Sequence, residues 1–455
     1  MNRIWAACLI SALLIFTRGA SADVQADLAA ASATLEAAMQ NAGADLADGK
    51  IDQVNQRILA TFPEKSRTTV QALLLGNVLF KHDPATAYAL HKRAAAELPD
   101  EPMAQLEWAM EQHRAAEFAG AAETYAKFSK LQPDFGPAWG MAAECLIRTG
   151  KTREAAEAWQ KSEQGHGSIE QFESWVCEVH THAFPDRDRA NFIAKVKAGD
   201  IDAAERLVAL DCNLEIDWWN SGPDAAYLQK DLDILKAATI ADQDRLRAIT
   251  CAARCGLIEA TDDGNAADVL RQASYLIDEK GTLPPSGKLL SPMLSAAIAS
   301  RALTDQSARE KLGPSILAKA RATRDAAMFN AAAHLYVGTD RLAAIDQEAW
   351  DATGDPRFAA SLLVGLLPTG TLKADDPRLA KAAKQFPDNA EIARIRVALN
   401  GGDKADPALL IEAIKSEYTH FSAGGLLAAR PNASMLRAYF AALGKALGVQ
   451  TPVKS

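Results

Sequence analysis

The stretch "AWGMAAECLIRTGKTREAAEAWQK", from Ala138 to Lys161, admits two readings that lead to different folds. Gly150-Lys151-Thr152 has the ending of a phosphate-binding loop. Small residues at helical spacing in the same stretch have the pattern of helix packing. A phosphate loop needs a glycine five residues before Gly150, following a strand, so that backbone N–H groups can cradle the phosphates. That position is Cys145, in a segment with no strand pattern. The nucleotide reading fails on spacing, and helix packing remains.

Packing of this kind is periodic along the chain. A step of 34 residues back from Ala155 reaches Ala121, and a second step reaches Ala87. The same step links Trp159, Tyr125 and His91, and it links Pro133 to Pro99, each followed by an aspartate. A 34-residue period is the signature of the tetratricopeptide helical hairpin. The stretch resembles that family at Trp139, Gly150, Ala155 and Trp159, and the preceding repeat does so at Trp108, Ala109, Ala121 and Tyr125. The repeat ending at Pro99 matches at Leu74, Ala87 and Ala94, with His91 off the pattern. The clear resemblance covers residues 68–167.

Elementary physics agrees. Small residues at crossings let helix axes approach to about 8–10 Å. Gly150 suits the left-handed turn that ends a first helix, and Asp83-Pro84 places a proline at a helix opening, where its missing donor costs nothing. A lone hairpin cannot bury its apolar face, so neighbours must stack. Strand-like alternation is nearly absent, alanine is abundant and aromatics are only 6% of residues. This predicts an all-α fold of antiparallel helical hairpins, stacked as a tetratricopeptide-like α-solenoid in one or two segments.

The resemblance implies that first-helix side chains line a concave surface. The register assigns Met103, Leu106, Met110, His113 and Arg114 to it from one repeat, and Glu144 and Arg148 from the next. Met110, His113, Arg114, Glu144 and Arg148 are accordingly the candidate ligand-binding residues. Arg114 and Arg148 are equivalent, one repeat apart, and suit an acidic or carbonyl-rich segment. Pairing with Glu111, Glu117 or Glu144 is the competing role. The carboxylate clamp of some family members uses lysine and asparagine where this chain has Ala72, Gly76, Leu106, Met110, Gly140 and Glu144, so that clamp is missing. A groove of mixed character fits a protein or peptide partner.

Compartment is written at the N-terminus. Arg3, the apolar run Ile4–Phe16 and Ala20-Ser21-Ala22 have the layout of a cleavable secretory signal, with the mature chain beginning at Asp23. Export to the bacterial periplasm or the cell exterior is the expectation. The net charge is −9, and loss of residues 1–22 makes it more negative because Arg3 and Arg18 go with them. No basic stripe is present, which argues against nucleic acid, and no later segment reads as a membrane span. Cys145, Cys177, Cys212, Cys251 and Cys255 remain, an odd number in a chain too long to need a disulfide framework. Nothing in the sequence fixes the oligomeric state.

The remaining organisation follows turn signals. Residues 23–167 carry the repeats, after two leading helices broken near Gly43 and Gly49. Residues 168–280 read as degenerate hairpins, opened by a Ser168–Gln171 capping box; 281–292 as a linker; and 293–455 as a C-terminal helical-repeat region, with helices over 293–312, 314–337 and 340–352. Asp355-Pro356, Asp376-Pro377 and Asp406-Pro407 each precede an apolar helical run, as a cap and an opening proline would.

Three constellations compete with packing. Glu173, Cys177 and His180 share a helical face, with His182 nearby, but match no strong metal motif. No metal and no cofactor is expected. Trp218-Trp219, beside Glu215 and Asp217, would suit a sugar, although paired carboxylates mean little without their separation. The Asn432 sequon matters only in a host that glycosylates. No nucleophile–base pair is visible, so no catalytic residue is assigned. The sequence thus points to a non-catalytic exported scaffold, the alternative being an exported all-α enzyme acting on glycan or peptidoglycan.

Overall fold

The computed structural model describes residues 22–40, 51–80, 83–167, 169–181, 189–212, 225–261, 306–419 and 432–449. The chain divides into two units, Met1–Arg189 with Leu443–Ser455, and Ala190–Ala442. Among the described residues the secondary structure is helical. The only extended pairing there is an isolated bridge between Phe135 and His166.

The first unit contains α1 (Ala22–Gln40), α2 (Ile51–Thr61), α3 (Thr69–Leu79), α4 (Pro84–Glu97), α5 (Pro102–Arg114), α6 (Phe118–Leu131), α7 (Gly136–Arg148), α8 (Thr152–Gln164) and α9 (Ile169–Thr181). Helices α3/α4, α5/α6 and α7/α8 are antiparallel hairpins, and α4 packs on α5 and α6 on α7. Their starts keep the 34-residue register: Pro84 and Phe118 and Thr152 open the second helices, and Pro102 and Gly136 the first. Ala87, Ala121 and Ala155 are fully buried at the crossings, as the small-residue pattern requires. Thr68 caps α3 in a reciprocal capping box with Gln71, and Asp83 caps α4 ahead of Pro84. Gly150 takes φ +79°, closing α7 in the left-handed conformation.

Helix α9 buries Phe172, Val176 and Val179, but it departs from simple succession. It packs against both α7 and α5, so three consecutive first helices meet. Gly140 on α7 makes this possible, because a Cβ there would lie 2.6 Å from the Phe172 ring.

The second unit contains α10 (Arg189–Lys197), α11 (Ile201–Asp211), α12 (Ala225–Ala237), α13 (Gln243–Thr261), α14 (Gln306–Thr323), α15 (Ala326–Leu335), α16 (Leu342–Thr353), α17 (Pro356–Leu366), α18 (Pro377–Gln385), α19 (Ala390–Leu399), α20 (Pro407–Thr419) and most of α21 (Ala433–Ala446). One apolar core runs from Phe192 through Phe329, Trp350 and Phe358 to Ile395. Asp355, Asp376 and Asp406 each accept a backbone N–H at their helix openings. One boundary differs from the sequence reading. Helix α14 continues through Gly313-Pro314, and the break comes at Arg324, which has φ +53°. Asp325 then caps α15 by accepting the Met328 N–H at 3.1 Å. An internal proline costs a hydrogen bond and a steric clash but can be carried as a kink, whereas a left-handed residue followed by a cap ends the helix.

The proposed linker 281–292, Ser168, Trp218-Trp219 with Glu215 and Asp217, His182, and the signal segment up to Ser21 lie outside the described residues. No helix among the described residues is long and apolar enough to cross a membrane.

Candidate functional site

The five residues expected on an open groove lie in the interior or at its edge, and they do not form one cluster. Met110, His113, Arg114 and Glu144 are all under 5% exposed, and the Arg148 side chain is 15% exposed. The surface expectation is corrected by the closeness of α5, α7 and α9: helices packed this tightly leave no open trough at that level. The two arginines take the competing role. Arg114 pairs with Glu111 at 2.8 Å and Arg148 with Glu144 at 3.1 Å, each within its own helix.

Two buried polar clusters result, at neighbouring levels of the stack. In the first, Glu111 also meets His91 Nδ1 at 3.0 Å, and His91 Nε2 meets Asn77 Oδ1 at 2.7 Å. Arg114 lies over the Phe80 ring at 4.5 Å. His91, off the family pattern in sequence, is therefore the link joining α3, α4 and α5. It fits because Gly76 carries no side chain: a Cβ at that glycine would lie 2.3 Å from His91 Nε2. Burial by itself would raise the Glu111 carboxyl. Arg114 and then His91 outweigh that effect and hold it below its ordinary value.

The second cluster is centred on Glu144, which is fully buried. His180 Nε2 from α9 lies 2.6 Å from Glu144 Oε1, and His113 Nε2 from α5 lies 3.5 Å from Glu144 Oε2. His113 Nδ1 is 3.5 Å from both the Tyr125 hydroxyl and Cys145 Sγ. Arg148 lies over the Phe118 ring at 5.1 Å. Burial would raise the Glu144 carboxyl, but the His180 and His113 imidazoles outweigh it and hold it well below the usual carboxylate range. Burial pushes the His113 imidazole below its ordinary value, with Glu144 opposing. Burial, reinforced by Glu144, pushes the Cys145 thiol well up. Cys145 is thus a protonated, inaccessible thiol and no nucleophile.

Of the sequence trio Glu173, Cys177 and His180, His180 enters this cluster; the Cys177 side chain lies outside the described residues. His113, Glu144 and His180 each turn one ligand atom toward the others, all within 4.8 Å. The role of His91 was missed, because its partner Glu111 comes from another hairpin, and so was the pairing of His113 with His180, which the sequence named separately. His113 and His180 are far apart in sequence, and only the meeting of α5 with α9 joins them. The Glu111-to-Arg114 and Glu144-to-Arg148 spacings were the available signals, since residues three or four apart share a helix face.

No protein-family model matches the chain, and no curated protein does. Among solved structures, the crystal structure of the P58(IPK) TPR domain aligns over 83% of this chain and 99% of its own, at 12% identity and a TM-score of 0.22. A superposition that loose bears no argument. The tetratricopeptide-like character of residues 69–164 rests on their own hairpins, crossings and register.

Proposed function

We propose that the chain is a non-catalytic helical-repeat scaffold, exported to the bacterial periplasm or cell envelope, that holds a protein or peptide partner. The observation that supports this most is the unbroken hairpin register from Thr69 to Gln164. A stack of this kind is rigid, because each hairpin is buried against its neighbours, and it presents the side chains at its surface in fixed spacing. The buried ion pairs at Glu111 and Glu144 add directional links between hairpins. Recognition then falls to exposed residues of these hairpins, while Met110, His113, Arg114, Glu144 and Arg148 hold the helices in place. Export is supported by Arg3, the Ile4–Phe16 run and Ala20-Ser21-Ala22.

The test has two arms. N-terminal sequencing of the protein recovered from the periplasmic fraction is expected to begin at Asp23; an intact Met1 in the cytosol would remove the exported reading. Affinity capture from envelope extracts with the mature chain is expected to retain a discrete protein. Release of sugars from purified envelope glycan by the mature chain, abolished by Asp217→Asn, would favour the enzyme instead.

A further inference from the structure

We propose that His113 Nε2, Glu144 Oε2 and His180 Nε2 form a binding site for one first-row divalent cation, zinc being the best match. The site is completed by a solvent or exogenous ligand on the His180 side. Three observations carry this.

The first is the donor set. Two imidazoles and one carboxylate, with one coordination position left open, is a tetrahedral zinc set. Bonds of about 2.0–2.1 Å at the tetrahedral angle place ligand atoms roughly 3.4 Å apart, and His113 Nε2 and Glu144 Oε2 stand 3.5 Å apart. One ligand atom from each of the three residues lies within 4.8 Å of the other two. The His180–Glu144 contact at 2.6 Å is made to the other oxygen, Oε1. A small turn of the carboxylate with the His180 ring therefore exchanges that hydrogen bond for a shared ion.

The second is unmet bonding capacity. Among the described residues, His113 Nε2 and Glu144 Oε2 are buried atoms that meet only each other, at 3.5 Å, and make no hydrogen bond of normal length. They face each other at a distance too long for a good N–H···O bond, and leaving both so is expensive in a dry interior. One cation between them satisfies both.

The third is the surroundings. Metal-bound histidines usually donate their second ring N–H to a fixed acceptor, and His113 Nδ1 has Cys145 Sγ at 3.5 Å, within reach of a sulfur acceptor. His113 lies in the last turn of α5 and His180 in the last turn of α9. Helix C-terminal ends carry partial negative charge that favours a cation. This offsets the nearby Arg148 guanidinium, which stays on Glu144 Oε1 and over Phe118. The His180 side chain is 15% exposed and gives the entry side.

The experiment uses the full mature chain, stripped of metal and titrated with Co²⁺ and then Zn²⁺. One equivalent of Co²⁺ is expected to give the intense visible absorption of a tetrahedral ion, bleached by Zn²⁺, and Zn²⁺ is expected to raise the unfolding temperature. His180→Ala, at the partly exposed ligand, is expected to weaken Co²⁺ binding at least about 10-fold while keeping the far-ultraviolet dichroism of a helical protein. Glu173→Ala, on the same helix but outside the cluster, is expected to leave it unchanged. Absence of saturable binding at one equivalent overturns the proposal. So does unchanged affinity in His180→Ala, and so does a thiolate charge-transfer band, which would put a cysteine in place of the nitrogen and oxygen set.

Discussion

Ala116 and Gly150 stand one repeat apart, at the ends of α5 and α7, and both adopt the left-handed backbone, with φ of 59° and 79°. The bonds around them match. Glu117 N–H reaches the Gln112 carbonyl and Lys151 N–H reaches the Leu146 carbonyl, both at 2.9 Å or less, the six-to-one closure of a Schellman motif. The turn is thus set by the hairpin, and glycine is its natural occupant in only one of the two repeats. Ala116→Gly is expected to stabilise by about 0.5–1 kcal/mol, relief of left-handed strain exceeding the entropy that glycine loses on folding. Gly150→Ala is expected to destabilise by about 1–2 kcal/mol through backbone strain alone, since a Cβ there meets nothing within 4 Å among the described residues. Urea unfolding midpoints of the two variants, moving in opposite directions, check this.

Gly76→Ala is expected to destabilise by roughly 1–3 kcal/mol, because the new methyl falls on the His91 ring. In a His91→Ala background the same change is expected to be nearly neutral. A double-mutant cycle read by denaturation measures the coupling, and a cycle that closes to zero would mean that the two sites do not touch.

Glu111→Leu is expected to destabilise by about 3–5 kcal/mol, because it leaves the buried Arg114 guanidinium without its carboxylate. Adding Arg114→Met is expected to recover most of the loss, since an apolar pair of similar volume no longer has to be desolvated as ions. Calorimetric unfolding of the single and double variants distinguishes this from simple loss of packing, which the second change would worsen.

Asp346 is buried in the second unit and accepts the Ser361 hydroxyl at 2.6 Å. Burial raises its carboxyl above the ordinary value, against the smaller opposing effect of that hydrogen bond. The folded chain then binds the proton more tightly than the unfolded chain. The group's contribution is therefore most favourable at acid pH and is lost as pH rises past its folded value. Asp346→Asn keeps an acceptor for Ser361 and is always neutral, so it is expected to raise the unfolding temperature at pH 7. The advantage over the parent should shrink steadily as pH falls toward 4. An equal effect at all pH values would remove the ionisation account.

The helical hairpins were legible because their causes are local. Ala87, Ala121 and Ala155 repeat at the crossings, Asp-Pro pairs open helices, and Gly150 closes one. The end of α14 was not, because Arg324 and Asp325 stop it by a backbone conformation and a cap that carry no strong residue signature, whereas Gly313-Pro314 carries a strong one and merely passes through. The candidate site was half legible. Register placed Met110, His113, Arg114, Glu144 and Arg148 on first helices α5 and α7, yet their burial depends on how far α9 leans across α7 onto α5. Neither spacing nor composition encodes that tilt. Trp218-Trp219 was legible only as an oddity and keeps that standing.

The lean of α9 also limits how the array can evolve. In an ideal repeat protein, each unit knows only the next one, and modules can be duplicated or deleted without renegotiating the rest. Here His180 reaches back past its neighbour to His113, so the end of the stack is tied to a hairpin two steps earlier. A module inserted after Gln164 would carry His180 out of reach and strand Glu144 in the interior with half its partners. The α5/α6 and α7/α8 hairpins with α9 are thus mechanically one block, and an added module is expected to be tolerated on either side of it rather than within it.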